Sequence, residues 1–478
     1  MKIKTITVLA LFLLSWFSLF SQTLVKISPE KKYQTVEGWG SSLCWWAHMV
    51  GQWGNESAID EIVDYITSPD GLNMNIFRYN IGGGDAPSHY STETTPGHMT
   101  RGKGVRAEMQ GFKASEFSPY NWEADAGQRK IMLKIKQKRP DAIFEAFSNS
   151  PPYWMTYSGC SAGHSEGGKD NLKPEYYGQF CDYLIEVCKF YKDSFNIEFK
   201  TLAPFNESTS NFWHNQGSQE GCHFDIRSQI ELIKTLHPKL KASKLNTIIS
   251  ASDETNLSAF QTMLRGYVSD STVLDLVGQL NTHTYSGSDS ERKTVKDKVK
   301  QLNKPFWQSE TGPMGFSSNP FENNLQLAQK LISDMKLMNP QAWLDWQLVE
   351  ELNNTWCVFR GSFKNETFHK VKNFYVRMQF SRFIKQGYTV IDTDNNNVLA
   401  AVNPENTELV LVALNNTANE RNFQFDLSLF QKVAETTALY RTSLTEDCTK
   451  LSGPSVNQKA INYNAPANTA STIVVKVK

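Results

Sequence analysis

The 478-residue sequence has no excess of either charge sign and no recognisable metal-binding motif. Lys plus Arg and Asp plus Glu both number 49, so the basic surplus that neutralises a phosphate backbone is missing. Nucleic acid is therefore not an expected partner. No C-x-x-C or H-E-x-x-H run occurs and the nine histidines are scattered, so we expect no metal site.

Cysteine is also scarce. Seven cysteines are too few for a disulfide scaffold in a chain of this length, and an odd number leaves at least one outside any intramolecular pair. Cys160 and Cys222 both lie in glycine-rich loops and are a candidate pair. The sequence leaves open whether they are bridged.

Only one long apolar run is present, at the amino terminus. Residues 1–4 carry two lysines, residues 6–20 are almost wholly apolar, and the polar Ser21 and Gln22 follow, a pattern typical of a signal peptide. The run is about fifteen residues, shorter than the roughly twenty that span a bilayer. We predict that 1–21 is a signal peptide, that the protein is secreted or periplasmic, and that it has no stable membrane association. An uncleaved membrane anchor is the alternative.

The rest of the chain has the composition of a globular protein, with 40% hydrophobic and 21% charged residues. From 37 to 385, short β-branched or aromatic runs alternate with longer amphipathic ones, which predicts an α/β fold. The predicted strands are 35–39, 74–80, 143–149, 198–206, 247–252, 274–283, 305–310 and 342–348. The predicted helices are 57–66, 126–138, 173–194, 226–237, 256–267, 290–302, 324–338 and 366–384. Eight such units form a (β/α)8 barrel, whose active site lies at the carboxyl ends of the strands.

Residues 386–478 have a different pattern. Short Val-, Thr- and Asn-rich runs separated by turns predict an antiparallel β domain. Residues 22–36 contain a strand-like run at 24–27 and are expected to join its sheet. Because no low-complexity linker separates 37–385 from 386–478, we expect the barrel and the β domain to pack directly against each other.

Two predicted barrel strands deliver glutamates to their carboxyl ends. Glu310 ends 305–310, and Glu207 follows 198–206. A carboxylate there lies in a cleft or is buried unpaired, and the latter costs several kcal/mol. Glycoside cleavage uses such a pair, one as acid and one as nucleophile or base, with about 5 to 5.5 Å between them for retention and about 6.5 to 9.5 Å for inversion. The alternative for each is an exposed loop residue.

Several motifs around these glutamates resemble one family. They are VEGWGSS at 36–42, the Arg78 segment, SNSPPYWM at 148–155, Asn206-Glu207 and Ser309-Glu310. Their identity and order resemble glycoside hydrolase family 30, and CWWA at 44–47 with NQGSQEGC at 215–222 is most similar to its endo-β-1,6-galactanase branch. The resemblance implies a retaining barrel with a β-sandwich built from both termini. It also implies that Glu207 is the acid/base and Glu310 the nucleophile, although Ser208 stands where many relatives have Pro.

The resemblance implies further substrate contacts. Arg78 and Asn206 would contact the nucleophile and the sugar's 2-hydroxyl, although Arg78 could instead pair with Asp85. The subsite nearest the cleaved bond would be lined by Trp154, His283, Tyr285 and Trp346, and further candidate contacts are Trp45 and Asn149.

Five positions around the candidate site have open alternatives. Of the adjacent Trp45 and Trp46, one packs inward and the other reaches the cleft. His283 is either a satisfied buried histidine or a ligand contact, whereas the phenol of Tyr285 is expected to donate to the nucleophile. Trp213 and His214 on the loop after Glu207 either line the cleft or pin the loop.

The sequence therefore predicts a secreted, monomeric endo-β-1,6-galactanase. Its substrate would be the β-1,6-galactan side chains of arabinogalactan, with water as second substrate and no cofactor. One alternative is a β-1,6-glucanase or another family 30 glycosidase. The other is a barrel without turnover that only binds glycans.

Overall fold

A computed structural model describes residues 22–86, 109–313, 317–351 and 355–478. The predicted signal peptide, 1–21, lies outside the described residues. Within these ranges, no helix combines the length and the apolar character needed to cross a bilayer.

Strand β1 (Thr23–Thr35) precedes a closed barrel of eight parallel strands, in which the first strand pairs with the last. The barrel strands are β2 (Gly38–Ser42), β3 (Ile76–Asn80), β4 (Ile143–Phe147), β5 (Thr201–Ala203), β6 (Ile248–Glu254), β7 (Gln279–His283), β8 (Phe306–Glu310) and β9 (Ala342–Asp345). Nearly every strand residue is buried, as in parallel sheets covered by helices. The predicted (β/α)8 barrel is confirmed.

Ten α-helices are present in the described residues. They are α1 (Trp46–Val50), α2 (Glu56–Thr67), α3 (Ala126–Lys138), α4 (Tyr177–Phe195), α5 (Ile226–Ala242), α6 (Leu257–Ser269), α7 (Ser271–Leu276), α8 (Asp289–Leu302), α9 (Pro320–Ser333) and α10 (Lys372–Ser381). Several begin at a capping side chain: Asn55, Asp225 and Asn256 each accept a hydrogen bond from a first-turn N–H, and Ser288 and Glu291 form a capping box. A π-helical turn, Asp334–Met338, continues α9.

Two predicted elements are wrong in part. The predicted strand 274–283 begins inside α7, because Asp270 caps a helical turn by accepting from the N–H of Thr272, and the strand starts only at Gln279. The predicted helix 366–384 begins with a strand. Strands β10 (Val349–Glu350), β11 (Phe359–Ser362) and β12 (Thr367–Lys370) form a small sheet, and β11 and β12 pair as an antiparallel hairpin, which leaves only Lys372–Ser381 for the helix.

The sequence left open whether Cys160 and Cys222 are bridged, and the structure shows that they are not. Cys222 carries a free thiol, buried, whose Sγ atom lies 3.5 Å from the carbonyl oxygen of His223. No bridge joins it to Cys160.

The carboxy-terminal region forms a β-sandwich together with β1. Its strands are β13 (Thr389–Thr393), β14 (Val398–Val402), β15 (Glu408–Asn415), β16 (Arg421–Asp426), β17 (Val433–Thr442), β18 (Thr449–Ser452), β19 (Val456–Asn457), β20 (Ala460–Ala465) and β21 (Thr469–Val477). The start of β1 pairs in parallel with β16, and the rest pairs antiparallel with β13, so one strand runs through both sheets. Val25 and Ile27 of β1 lie in the sandwich core. The predicted β domain built from both termini is confirmed.

Candidate active site

Glu207 and Glu310 meet at the carboxyl end of the barrel. Glu310 is the last residue of β8, and Glu207 lies on the loop after β5. The two residues are 7% and 2% exposed, and one carboxylate oxygen of each lies within 4.8 Å of the other. Two buried carboxylates at this distance require cations or hydrogen-bond donors around them.

His283, the last residue of β7, lies between the two carboxylates. Its Nδ1 atom is 3.1 Å from Oε1 of Glu207, and its Nε2 atom is 3.5 Å from Oε2 of Glu310 and 3.6 Å from Oδ1 of Asp253. Burial alone would lower the pKa of His283, but the charge of Glu310 and the contacts with Asp253 and Glu207 raise that pKa to about 10. His283 thus contacts both glutamates, and their negative charges favour its protonated form.

Glu310 receives a separate donor on each oxygen. Nη1 of Arg78 donates to Oε2 at 3.0 Å, and the phenol of Tyr285 donates to Oε1 at 2.7 Å. Burial raises the pKa of Glu310 above its ordinary value and the nearby Glu207 adds to this, whereas His283, Arg78 and Tyr285 act in the opposite direction. These donors fix the carboxylate and stabilise its ionised form.

Arg78 on β3 is fully buried and serves three carboxylates. Besides Glu310, its guanidinium contacts Oε1 of Glu145 at 2.8 Å and Oδ1 of Asp253 at 3.3 Å. Its charge also lies 4.2 Å from the centre of the Phe147 ring. The contacts described for Arg78 therefore involve these acids rather than Asp85, and the sequence had not indicated either Glu145 or Asp253.

Glu145 anchors a polar network inside the barrel. Its Oε2 atom accepts from Thr201 Oγ1 at 2.6 Å, from Ser250 Oγ at 3.1 Å and from Asn281 Nδ2 at 2.9 Å. These donors come from β5, β6 and β7, so Arg78 is held from below by residues of three other strands. Both oxygens of Glu145 are thus hydrogen-bonded, which holds this carboxylate in place against Arg78.

The backbone is strained at both Glu207 and Asp253. Their φ angles are 51° and 52°, in the left-handed region that residues other than glycine rarely adopt. The N–H of Glu207 donates to the carbonyl of Asp253 at 2.8 Å, and the carbonyl of Glu207 accepts from the indole of Trp213 at 2.9 Å. Such strain persists only where surrounding contacts hold it, and it is concentrated at functional sites.

A cleft of about 580 Å³ opens above the two glutamates. The side chains of Asn206, Tyr285, Trp346 and Trp213 line it. Among the described residues, Oδ1 of Asn206 is buried and has no hydrogen-bond partner, which leaves this oxygen for a ligand.

Five predicted contacts are not among the described residues that line this cleft: Arg78 and His283, which are buried against the glutamates, and Trp45, Asn149 and Trp154. Trp45 is buried and packs edge-on against Trp346, with ring centres 5.3 Å apart, so it supports the cleft wall from behind. Asn149 is buried, and its backbone N–H donates to the side chain of Asn80. The indole of Trp154 donates to the Lys113 carbonyl at 3.1 Å and packs against Tyr176.

Two aromatic side chains of the cleft were not predicted. Phe212 follows Glu207 on the same loop and is 51% exposed, and Trp356 packs against Tyr285 with ring centres 5.9 Å apart. Gly312 makes room for Trp356, because a Cβ there would lie 2.4 Å from the indole. Both aromatics lie on irregular loops, where no periodicity marks them.

Comparison with known proteins decides the family. The model of O-glycosyl hydrolase family 30 matches residues 22–270. An endo-β-1,6-galactanase of Hypocrea rufa is 30% identical over 428 residues, which cover 86% of each protein. The chain belongs to glycoside hydrolase family 30. The resemblance seen in the sequence is confirmed, and this family 30 member is a glycoside hydrolase whose substrates are carbohydrates.

The chain is also similar to a second sequence relative and to a solved structure. An exo-β-1,6-galactobiohydrolase of Bifidobacterium longum is 27% identical over 423 residues, and the match covers 69% of this family 30 chain but 27% of that larger protein. The solved structure of a conserved exported protein from Bacteroides fragilis superposes with a TM-score of 0.79 at 17% identity, covering 95% of this chain and 100% of that one. This likeness shows that the two share a fold.

Proposed function

We propose that this family 30 hydrolase is an exported, retaining endo-β-1,6-galactanase that cleaves the β-1,6-galactan side chains of arabinogalactan. The observation that carries the proposal is the approach of Glu207 and Glu310 to within 4.8 Å between their nearest oxygens. This separation suits direct attack by a carboxylate and is too short for a water molecule to be activated between carboxylate and sugar. The two relatives, named for β-1,6-galactan cleavage, support the choice of substrate.

The proposed reaction has two displacements. Glu310 forms a bond to the anomeric carbon while Glu207 gives its proton to the departing glycosidic oxygen. In the second step, Glu207 takes a proton from water, the water oxygen bonds the anomeric carbon, and the bond to Glu310 breaks. Water is the second substrate, and these steps require no cofactor.

The neighbouring side chains have distinct roles in this scheme. Arg78 and Tyr285 hold the two oxygens of Glu310 in position for attack. His283, in contact with both carboxylates, stabilises the negative charge that returns to Glu310 when the glycosyl bond breaks. The unpartnered Oδ1 of Asn206 is the acceptor for the sugar's 2-hydroxyl.

Export and a monomeric state complete the proposal. The apolar run at 6–20 supports export to the periplasm or the medium, and the structural relative is described as an exported protein. Measurements that test these points are amino-terminal sequencing of the protein recovered from the periplasm and medium, and its mass in solution.

The specificity test compares four polysaccharides: debranched arabinogalactan, β-1,6-glucan, glucuronoxylan and unrelated β-1,4-galactan. The proposal predicts release of reducing ends from arabinogalactan alone, with a spread of oligosaccharide sizes early in the reaction. Cleavage of β-1,6-glucan at a greater rate would instead assign a glucanase, and a single disaccharide product from the start would assign exo action. Saturable binding by both wild type and Glu310→Gln without reducing-end release by either would identify a non-catalytic glycan-binding protein.

A further inference from the structure

The loop of residues 208–219 directly follows Glu207 and forms much of one wall of the cleft. At its edge, Phe212 leaves 51% of its surface exposed although it lines a concave site next to the acid/base glutamate. An aromatic ring of this kind in a cleft is a typical contact surface for a ligand.

The structure holds this ring firmly. Phe212 packs edge-to-face against Trp213 with ring centres 4.5 Å apart, and the indole of Trp213 donates to the carbonyl of Glu207. Gly221 lies against the Trp213 indole so closely that a Cβ would be 1.9 Å from it. Phe212 is therefore braced, through one tryptophan, against the residue that protonates the leaving group.

Other contacts fix the first part of the loop. Thr209 Oγ1 donates to the buried carboxylate of Glu254 at 2.5 Å, and Ser210 and Thr255 share a hydrogen bond of 2.6 Å. A surface fixed before the ligand arrives loses little conformational entropy on binding. The contacts that fix the loop therefore also hold Phe212 in its exposed position.

We propose that Phe212 is the stacking platform for the sugar on the leaving-group side of the cleaved bond. This inference rests on the proposed function, in which Glu207 is the proton donor. The donor must lie beside the departing oxygen, and therefore on the leaving-group side of the cleaved bond. Phe212 is on the loop of that donor, and both residues line the same cleft. A β-galactoside presents an apolar face of ring C–H groups suited to an aromatic ring, and His214, Gln216 and Gln219 on the same wall can bond its hydroxyls.

The test compares two substrates that place the same sugars before the cleaved bond and differ after it. The β-fluoride of β-1,6-galactobiose releases fluoride, whereas β-1,6-galactotetraose cleaved at its central bond, followed as galactobiose formation, releases a disaccharide. For Phe212→Ala, we expect kcat/KM on galactotetraose to fall about tenfold while kcat/KM on the fluoride changes by less than about twofold. Phe212→Tyr should restore the loss because it keeps the ring, and Phe117→Ala, at a 91% exposed phenylalanine outside the cleft lining, should lose nothing.

The two substrates also separate the outcomes. Unchanged galactotetraose cleavage in Phe212→Ala, or an equal fall on both substrates, would overturn the platform while leaving the proposed galactanase intact. Failure of the wild type on both substrates would overturn the proposed function itself. Cleavage of the fluoride at the wild-type rate also shows that the Phe212→Ala variant is folded.

Discussion

The phenol of Tyr285 donates to Oε1 of Glu310 at 2.7 Å, and this is the carboxylate oxygen that Arg78 does not contact. Arg78 lies on β3 and Tyr285 lies two residues after the end of β7, so the position of the carboxylate depends on barrel closure. A carboxylate held in this way keeps one orientation before a ligand arrives, which is the advantage of a preorganised site.

Tyr285→Phe should lower kcat on galactan by about 10- to 100-fold, because a hydrogen bond to a charged group contributes about 1.5 to 3 kcal/mol. The matched control is Tyr65→Phe, which removes a phenol that donates to the Glu61 carboxylate at the same 2.7 Å on a helix surface. Steady-state kinetics on both variants check this. Equal rates for the two variants would show that the hydrogen bond from Tyr285 to Glu310 does not matter for turnover.

Glu207→Ala should lose about 10²- to 10⁴-fold in rate on polysaccharide, the usual contribution of a general acid. Galactosyl substrates whose leaving group needs no proton should still form the intermediate on Glu310. Added azide should then accelerate turnover and give a β-glycosyl azide, which product analysis detects. Galactan cleavage near the wild-type rate would remove Glu207 from this role.

Arg78→Met should lower the free energy of unfolding by about 3 to 5 kcal/mol, because three buried carboxylates lose their shared cation. Arg227→Met is the control, since the Arg227–Glu231 pair is 87% and 50% exposed and should matter by less than about 0.5 kcal/mol. Urea unfolding measures both. Similar losses in the two variants would contradict the charge network described inside the barrel.

The stability of the protein should depend on pH through His283. Its pKa is raised from 6.5 to about 10 by folding, so its stabilisation is complete below about pH 6.5 and is lost as the pH rises through about 10. Between about pH 6.5 and pH 10, the unfolding free energy of the wild type should fall more steeply with rising pH than that of His283→Gln. The difference in slope should reach up to about 1.4 kcal/mol per pH unit. Parallel curves for the two proteins would mean that His283 is neutral in the folded state.

The sequence was sufficient for the barrel because each strand is a short buried run followed by an amphipathic helix. It was less informative where local signals compete. The apolar residues of α7 fit the pattern of the following strand, and only the Asp270 cap indicates that they form a helix. Helix α10 is shorter than predicted because the β11–β12 hairpin takes the residues before it.

In the candidate site, too, some residues could be predicted from the sequence and others could not. Glu207 and Glu310 were predicted because strand ends and motifs mark them, whereas the partners of Arg78 depend on how the barrel closes. Glu145 lies 67 residues further along the chain, and no spacing rule connects the two. Phe212 and Trp356 escaped prediction because irregular loops position them.

The most direct test of the central claim, a covalent bond between Glu310 and the substrate carbon, is the anomeric configuration of the first product. Proton NMR during the first minutes of β-1,6-galactan hydrolysis resolves the new reducing ends before they equilibrate. The account predicts that they appear first as the β anomer. Initial release of the α anomer would contradict it.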